Sequence, residues 1–224
     1  PADGFWRPPF LDLFSGCCEF HSHVVARAAE QIGVCRYHRG LMTQSTGPVG
    51  IVLAAGAGTR FGQPKVLVAE WLSRAVGALS DGGCRDVIVV LGAAVVDVPA
   101  PARAVVAEDW ADGMAASLRA GVRAAGHADG DPAVLHVVDT PDVGADVVAR
   151  VLAAAGASGL ARAVFDVRPR HPVVIARRYW PALLETLHGD EGARAFLAGR
   201  DDVVAVECGD LATGRDIDFP GASG

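Results

Sequence analysis

The stretch Leu53–Lys65, LAAGAGTRFGQPK, follows a short apolar run and places three glycines, one arginine and one lysine in a single loop. Glycines let backbone N–H groups approach phosphate oxygens closely. Arg60 and Lys65 would then neutralise a triphosphate, whose charge grows on the leaving pyrophosphate as the α-phosphate is attacked. The loop therefore predicts a site for a nucleoside triphosphate; the alternative is a glycine-rich turn that carries two solvated cations.

Two other kinds of phosphate-binding loop fit this stretch poorly. A P-loop requires a lysine directly after its last glycine, whereas Gly62 is followed by Gln63. A dinucleotide fingerprint requires the spacing GxGxxG and an acidic residue that closes the second strand. Here the spacing from Gly56 through Gly58 to Gly62 is one residue too long, and the second apolar run ends without a carboxylate. Both alternatives are therefore weaker than the triphosphate loop.

The composition is typical of a globular protein. The chain has 224 residues, 51% of them hydrophobic, and a net charge of −6, so it can bury one sizeable core in a single domain. It has no basic stripe for nucleic acid, no apolar run of the roughly 18 residues that a membrane span needs, and no signal-peptide pattern at its start. We expect a cytoplasmic protein without nucleic-acid or membrane partners, acting as a monomer or small homo-oligomer.

The first part of the chain differs from the rest. It opens with Pro1 rather than methionine, shows no clean strand alternation, and is followed by Met42, one of only two methionines. We expect Met42 to be the natural start. Residues 1–48 are then an N-terminal extension, non-native or poorly ordered, and residues 49–224 form the functional domain.

A zinc site is the alternative interpretation of this extension. Cys17, His21, Cys35 and His38 could supply four zinc ligands. Their spacing is irregular, however, and the flanking sequence lacks the turn residues of a zinc finger. The odd number of cysteines and the absence of a CxxC motif favour a reduced, intracellular protein over a disulfide scaffold.

From residue 49 onward, apolar runs alternate with stretches of helical spacing. The predicted strands are Val49–Ala55, Asp86–Leu91, Ala104–Ala107, Ala133–Val138, Ala163–Val167, Pro172–Ala176 and Val203–Glu207. The predicted helices are Glu70–Leu79, Gly113–Ala125, Val143–Ala155, Tyr179–Leu187 and Glu191–Ala198. This pattern predicts a three-layered, Rossmann-like α/β fold, in which helices cover both faces of a mostly parallel mixed sheet. The short gap before Pro172 favours an antiparallel neighbour there.

Asp139 follows a predicted buried strand, at the sheet edge where ligands bind in such folds. One or two carboxylates, completed by water and phosphate oxygens, are the usual protein ligands of Mg²⁺ at a phosphate site. The alternative is a turn aspartate, because Thr140, Pro141 and Asp142 also read as a turn. Asp139 is therefore a candidate metal ligand.

The opening stretch resembles the LAAGxGxRxGxPK motif of the MobA-like nucleotidyltransferases, and the chain is most similar to their molybdenum cofactor cytidylyltransferase branch. The resemblance extends from about Val49 to Pro220. Further matching segments are Trp110–Gly121, Asp139–Pro141, Arg170–Ile175, Gly189–Arg194 and Asp216–Pro220. It implies a fold of the nucleotide-diphospho-sugar transferase type.

The resemblance also implies roles for individual residues. Lys65 and Arg60 are the expected catalytic residues, and Asp139 and Asp218 the expected Mg²⁺ ligands, with Asp216 as a near substitute for Asp218. The expected nucleotide-binding residues are Leu53, Ala54, Ala55, Gly56, Gly58, Thr59 and Ser117. The expected acceptor-binding residues are His171, Asp190 and Arg194.

Several of these residues also have purely structural interpretations. Asp218 and Asp190 could cap local structure, Ser117 could belong to an ordinary amphipathic helix, and His171 could be a polar strand end.

The implied reaction is the Mg²⁺-dependent transfer of a nucleoside monophosphate from an NTP to a phosphorylated small molecule, with release of pyrophosphate. The LAAG opening, rather than LAGG, favours CTP over GTP by resemblance, and molybdopterin is the leading acceptor. One alternative is another phosphorylated acceptor, such as phospholactate or a methylerythritol phosphate. The others are a non-catalytic cofactor-binding protein of the same fold and, more distantly, a dinucleotide-binding oxidoreductase.

Overall fold

The computed structural model describes residues 47–219, so the predictions for the N-terminal extension and its candidate zinc ligands lie outside the described residues. The strands are β1 Val49–Leu53, β2 Asp86–Leu91, β3 Arg103–Val106, β4 Ala133–Val137, β5 Leu160–Phe165, β6 Arg168–Ile175 and β7 Val204–Glu207. The helices are α1 Trp71–Asp81, α2 Met114–His127, α3 Ala145–Ala155, α4 Trp180–Thr186 and α5 Arg194–Leu197. Short 3₁₀ turns span Lys65–Leu67, Trp110–Asp112 and Arg177–Tyr179.

Apart from Asp86–Leu91, the predicted elements differ from the observed ones by one to four residues at an end, and two of these differences have a clear cause in the backbone. The strand predicted at Ala163–Val167 ends at Phe165, because Asp166 and Val167 adopt positive φ angles of 48° and 62° in the turn to β6. The helix predicted at Glu191–Ala198 begins only at Arg194, because Gly192 has a φ of 53° that α-helical geometry does not allow. Both differences follow from local backbone conformations that hydrophobic periodicity does not report.

The strands form one sheet in the order β3-β2-β1-β4-β6-β5-β7. β6 runs antiparallel to both of its neighbours, while the other recorded pairings are parallel. The mostly parallel mixed sheet and the antiparallel strand at Pro172 are therefore confirmed.

The direction of chain crossover changes between the adjacent strands β1 and β4. Leu53, the last residue of β1, is paired with Val137, the last residue of β4. The glycine loop and the segment that begins at Val138 therefore leave the sheet side by side, at its carboxyl edge. A crevice at such a switch point is the usual ligand site of an open α/β sheet.

Helices cover both faces of the sheet, and each face has its own apolar core. On one face, α1 and α3 are buried through residues at helical spacing, such as Leu72, Val76 and Leu79 of α1. On the other face, α2, α4 and α5 contribute residues such as Leu118 and Leu183. Within residues 47–219, no helix has the length and apolar character needed to cross a membrane.

His136 lies within β4, two residues from Val134 and Val138, which both belong to the core beneath α1 and α3. Its side chain is fully buried, and no group within residues 47–219 forms a hydrogen bond with either ring nitrogen. Burial, helped by the nearby His171 and opposed by Asp142, lowers the pKa of His136 to about 3. The ring is therefore neutral in the folded protein near neutral pH.

The C-terminal segment after β7 returns to the carboxyl edge of β4. One oxygen of Asp142 accepts hydrogen bonds from the Thr213 amide (2.7 Å), the Thr213 hydroxyl (2.6 Å) and the Gly214 amide (3.2 Å). The Ile217 amide donates a 3.0 Å hydrogen bond to the backbone oxygen of Asp139. These contacts hold the residues around Ile217 against the end of β4.

The two helical glycines Gly77 and Gly121 provide a matched test of packing. A Cβ atom at Gly121 of α2 would lie 2.7 Å from Cγ2 of Ile51 and 3.0 Å from Cγ2 of Val90, whereas one at Gly77 of α1 would meet nothing within 4 Å. Gly77→Ala should stabilise the protein by about 0.5–1 kcal/mol through helix propensity. Gly121→Ala should destabilise it by about 1–3 kcal/mol through overpacking. Urea unfolding measures both; a stabilising Gly121→Ala would contradict this packing.

His136 should make the fold sensitive to acid. The unfolded histidine binds a proton below a pKa of about 6.5, while the folded one stays neutral down to about 3, so stability is lost as the pH falls through this window. Between pH 7 and pH 5 this loss amounts to about 2 kcal/mol. Urea unfolding of His136→Leu at both pH values should show a correspondingly smaller loss than the wild type. His127→Leu, at an exposed position of α2, is the control; equal losses in all three proteins would refute the prediction.

Asp142 should control the order of the C-terminal segment. Asp142→Ala removes the acceptor of three hydrogen bonds, so the free energy of unfolding should fall by about 1–3 kcal/mol. Hydrogen exchange should become faster at the amides of Thr213, Gly214 and Ile217, but not in β1 or β2. Asp97→Ala, at an exposed position, should leave both measurements unchanged. Unaltered exchange at Ile217 in Asp142→Ala would contradict the tethering role.

Candidate nucleotide-binding and catalytic site

A cavity of about 530 Å³ opens at the carboxyl edge of the sheet, between the glycine loop, the start of α2, the end of β4 and the C-terminal segment. Twelve residues singled out from the sequence line it: Leu53, Ala54, Ala55, Gly56, Gly58, Thr59, Arg60, Lys65, Ser117, Asp139, Asp190 and Asp218. Trp110, Gly113 and Met114 also line it, from the predicted segment at the start of α2. Phe61 and the strand-end residues Val137 and Val138 had not been identified from the sequence.

The glycine loop owes its tight path to Gly58. This residue has a φ of 61°, and a Cβ atom on it would lie 1.9 Å from the backbone oxygen of Gln63. The Gly62 amide closes the turn with a 2.8 Å hydrogen bond to the Gly58 oxygen. Gly56, by contrast, is exposed and would meet nothing within 4 Å, so the backbone there is open to a ligand.

Lys65 lies at the end of this loop, where Pro64 leads into a 3₁₀ turn. Its Nζ atom is 2.7 Å from Oδ2 of Asp139 and 3.1 Å from Oδ1 of Asp218. Burial lowers the pKa of Lys65, but hydrogen bonds and charges from Asp139 and then Asp218 raise it by more, so the net shift is upward. The ammonium group is therefore a firmly charged link between the two carboxylates.

Arg60 adds a second, looser cation to this group. Its Nη1 atom is 3.6 Å from Oδ2 of Asp218, and its side chain is 74% exposed, against 14% for Lys65. Because it is exposed, Arg60 can turn toward a ligand at little cost, whereas Lys65 is held in place.

The two carboxylates fit a divalent metal that is bound jointly with a substrate. Within residues 47–219, no cluster of three or more histidine, cysteine or acidic side chains could hold a metal ion by itself. Asp139 and Asp218, which share one ammonium, are the kind of partial ligand set that Mg²⁺ completes with phosphate oxygens and water. Asp216 lies next to this pair but is bound to Arg170; burial, and then the charge of Asp139, raises its pKa.

A second cavity of about 380 Å³ adjoins the first and shares Arg60, Met114, Val137, Asp139 and Asp218 with it. Its other lining residues are Arg162, Pro169, Arg170, His171 and Asp216. His171, predicted to bind the acceptor, is thus in this cavity, where burial lowers its pKa to about 4.

The second cavity lies beside an irregularity between β5 and β6. Arg162 pairs with Val173, but Val164 pairs with Pro169, so β6 contains two extra residues opposite this part of β5. Bulges of this kind redirect side chains and are frequent beside active sites. Arg170 and His171 lie in the extra length.

The other two predicted acceptor residues have different surroundings. Asp190 accepts a 3.3 Å hydrogen bond from the Met114 amide at the start of α2, so it orders that helix end as well as lining the first cavity. Arg194 lines neither of the two cavities. Its charge nonetheless acts on Arg162, whose pKa is lowered by burial and then by Arg194.

The sequence does not single out Arg162 as a functional residue. It belongs to no motif, and the only signal is an arginine among small apolar residues in the strand sequence LARAVF. Arg170 stood within a motif, but no role had been assigned to it.

Residues 50–204 match the family described as the MobA-like NTP transferase domain. One relative is nicotine blue oxidoreductase from Paenarthrobacter nicotinovorans, which is 36% identical over 187 residues, covering 75% of this chain and 91% of that protein.

Solved structures extend the likeness. Rv0371c from Mycobacterium tuberculosis H37Rv is 28% identical with a TM-score of 0.63, covering 78% of this chain and 94% of that chain. Its manganese complex is 25% identical with a TM-score of 0.61, covering 77% and 94%. A nucleotidyl transferase from Methanothermobacter thermautotroptrophicus shares the fold at 22% identity and a TM-score of 0.64, covering 77% and 92%. The chain thus carries an NTP transferase domain and belongs to the MobA-like NTP transferase family.

Proposed function

We propose that this protein transfers a nucleoside monophosphate, with CMP favoured, from an NTP to a phosphorylated small-molecule acceptor in a Mg²⁺-dependent reaction. The observation that carries the proposal is the contact of Lys65 with both Asp139 and Asp218; all three residues line the first cavity. To bind a triphosphate and a metal, and to stabilise the charge that develops as the α-phosphate is attacked, a site needs cations and carboxylates close together.

The nucleotide lies in the first cavity under this proposal. The open backbone at Gly56 and the turn at Gly58 present amide groups to the phosphates. Arg60 turns from Asp218 to the phosphate oxygens, and the ammonium of Lys65 neutralises the charge of the leaving pyrophosphate. Buried Ser117 and the residues from Leu53 to Ala55 line the part of the cavity left for the nucleoside.

Asp139 and Asp218 hold the metal together with the nucleotide. Bound Mg²⁺ supplies positive charge at the phosphate oxygens. In the structure, Lys65 contacts the same two carboxylates and offsets one of their two negative charges. Lys65 therefore has to exchange a carboxylate for a phosphate oxygen as the nucleotide enters, which couples metal binding to nucleotide binding. The manganese complex of Rv0371c supports divalent metal binding within this fold.

The acceptor occupies the second cavity, which meets the first at Asp139 and Asp218. An oxygen of its phosphate attacks the α-phosphorus in line, forming a new P–O bond as the bond to pyrophosphate breaks. The attacking phosphate is already ionised near pH 7, so no side chain has to remove a proton. His171 is neutral at that pH and can donate or accept one hydrogen bond to the acceptor. The resemblance to the molybdenum cofactor branch makes molybdopterin the leading acceptor, in the cytoplasm.

A reductase that binds a nicotinamide dinucleotide is the second candidate function. The 36% identity to nicotine blue oxidoreductase favours it. A dinucleotide presents a pyrophosphate and a nucleoside, so the same glycine loop and cations could hold it. A reductase of this kind needs no divalent metal at Asp139 and Asp218. Metal dependence of nucleotide binding therefore distinguishes the two functions.

Nucleotide binding should depend on Mg²⁺ and on Lys65. With the full chain, CTP and Mg²⁺ together should raise the melting temperature by several degrees, since a ligand at 100 times its Kd stabilises by about 2.7 kcal/mol. ATP, GTP, UTP, NADH and NADPH, each with and without Mg²⁺, complete the series. Lys65→Met should abolish the shift and lower pyrophosphate release about 100-fold or more, while Arg123→Met, at an exposed position of α2, should leave both unchanged.

These measurements distinguish the proposed transferase from the reductase. A metal-independent shift with NADPH, and none with any NTP, would replace the transferase by the reductase. Unchanged pyrophosphate release in Lys65→Met would refute the role of Lys65 in catalysis and with it the transfer mechanism.

Lys65 is the single lysine of the chain, beside nineteen arginines, so lysine-selective acylation followed by mass spectrometry shows independently whether a nucleotide covers it.

A further inference from the structure

Arg162 is a partly buried cation that has no counter-charge among residues 47–219. It lies on β5 between Ala161 and Ala163, which are both fully buried. Its Nε atom is buried, and no group of residues 47–219 accepts a hydrogen bond from it. No carboxylate in that part of the chain forms an ion pair with it.

The neighbouring arginines differ from Arg162 in this respect. In the same cavity, Arg170 is paired with Asp216, and Arg60 approaches Asp218. The charge that acts on Arg162 is that of Arg194, which has the same sign; burial and then this charge lower the pKa of Arg162. A buried, unpaired charge is strongly unfavourable and is normally compensated by an ion of opposite sign.

The position of Arg162 shows where such an ion would enter. Arg162 lines the second cavity together with His171 and Asp139, so one cavity joins this unpaired cation to the proposed reaction centre. A guanidinium presents several donors in a plane and suits the oxygens of a phosphate or carboxylate. An acid group bound there would both supply the missing charge and accept hydrogen bonds.

We infer that Arg162 binds an anionic group, a phosphate or a carboxylate, of the molecule that occupies the second cavity. The inference rests on the proposed function only in identifying that molecule as the acceptor. The acceptor then carries two acidic groups: the phosphate that attacks the nucleotide near Asp139, and a second group, not consumed in the reaction, that Arg162 holds. Arg162 is a binding and specificity residue, and it takes no part in bond making.

The test is a set of thermal melts in inorganic phosphate or sodium acetate, at an ionic strength kept constant with sodium chloride. The proteins are the wild type, Arg162→Met, Arg162→Lys, Lys65→Met and the surface control Arg123→Met. We expect one of the two anions to raise the melting temperature of the wild type by about 2 °C or more at 20 mM. The anion that does so identifies the group as phosphate or carboxylate.

The variants show which site is responsible for the shift in melting temperature. Arg162→Met should lose it, Arg162→Lys should keep part of it, and Arg123→Met and Lys65→Met should keep it. Without added anion, Arg162→Met should melt at the same temperature as the wild type or higher, because it removes an uncompensated charge. A lower melting temperature there would identify Arg162 as a structural residue and overturn the inference.

Two further results would overturn it. One is the absence of any shift in the wild type with either anion. The other is a shift that survives in Arg162→Met but is lost in Lys65→Met, because the anion would then bind at the glycine loop. Failure of the proposed function is read separately, from the loss of Mg²⁺-dependent CTP binding, which involves Lys65 and not Arg162.

Discussion

The ion pairs of Lys65 with Asp139 and Asp218 connect three distant parts of the chain: the loop after β1, the end of β4 and the segment after β7. The partners are 74 and 153 residues away from Lys65 in sequence. The parallel pairing of β1 with β4 brings the first two parts to one edge of the sheet, and the hydrogen bonds of Asp142 bring the third. Because these contacts fix both the proposed triphosphate loop and the proposed metal-binding carboxylates, the arrangement of the site depends on one partly buried ammonium group.

A lysine at this position has a physical rationale in a chain that otherwise uses arginine for every basic side chain apart from histidine. A guanidinium is planar and forms its strongest contacts two at a time with one carboxylate. An ammonium is compact, and its donors can be shared between two carboxylates, as observed for Asp139 and Asp218. The flexible stem of lysine also lets the charge move toward a phosphate. A positive charge alone therefore does not account for the lysine at this position; its compact, flexible side chain matters as well.

The sequence predicted the sheet and the first cavity well, for identifiable reasons. Buried parallel strands appear as continuous apolar runs, and residues directly after them, such as Asp139, fall at the ligand edge. The contact between Lys65 and Asp218 could be expected only by resemblance, because it depends on the tether at Asp142. Arg162 could not be found at all, because what distinguishes it is that it has no hydrogen-bond or ion-pair partner in three dimensions among residues 47–219. The late start of α5 likewise follows from the positive φ of Gly192, which periodicity does not reveal.

The relation to an oxidoreductase can be understood from the same charges. A glycine loop with two cations can hold the phosphates of many nucleotides, so this part of the site does not distinguish the proposed nucleotidyl transfer from the second candidate function. The choice depends on the state of Asp139 and Asp218. While the single ammonium of Lys65 contacts both carboxylates, it offsets one of their two negative charges, so a divalent metal gains less by binding there. Under the proposed function, a triphosphate draws Lys65 away, so both carboxylate charges lose this partner and favour a metal. The proposed transferase and the reductase that is the second candidate would therefore differ in the partner of Lys65: a phosphate in the first and the two carboxylates in the second.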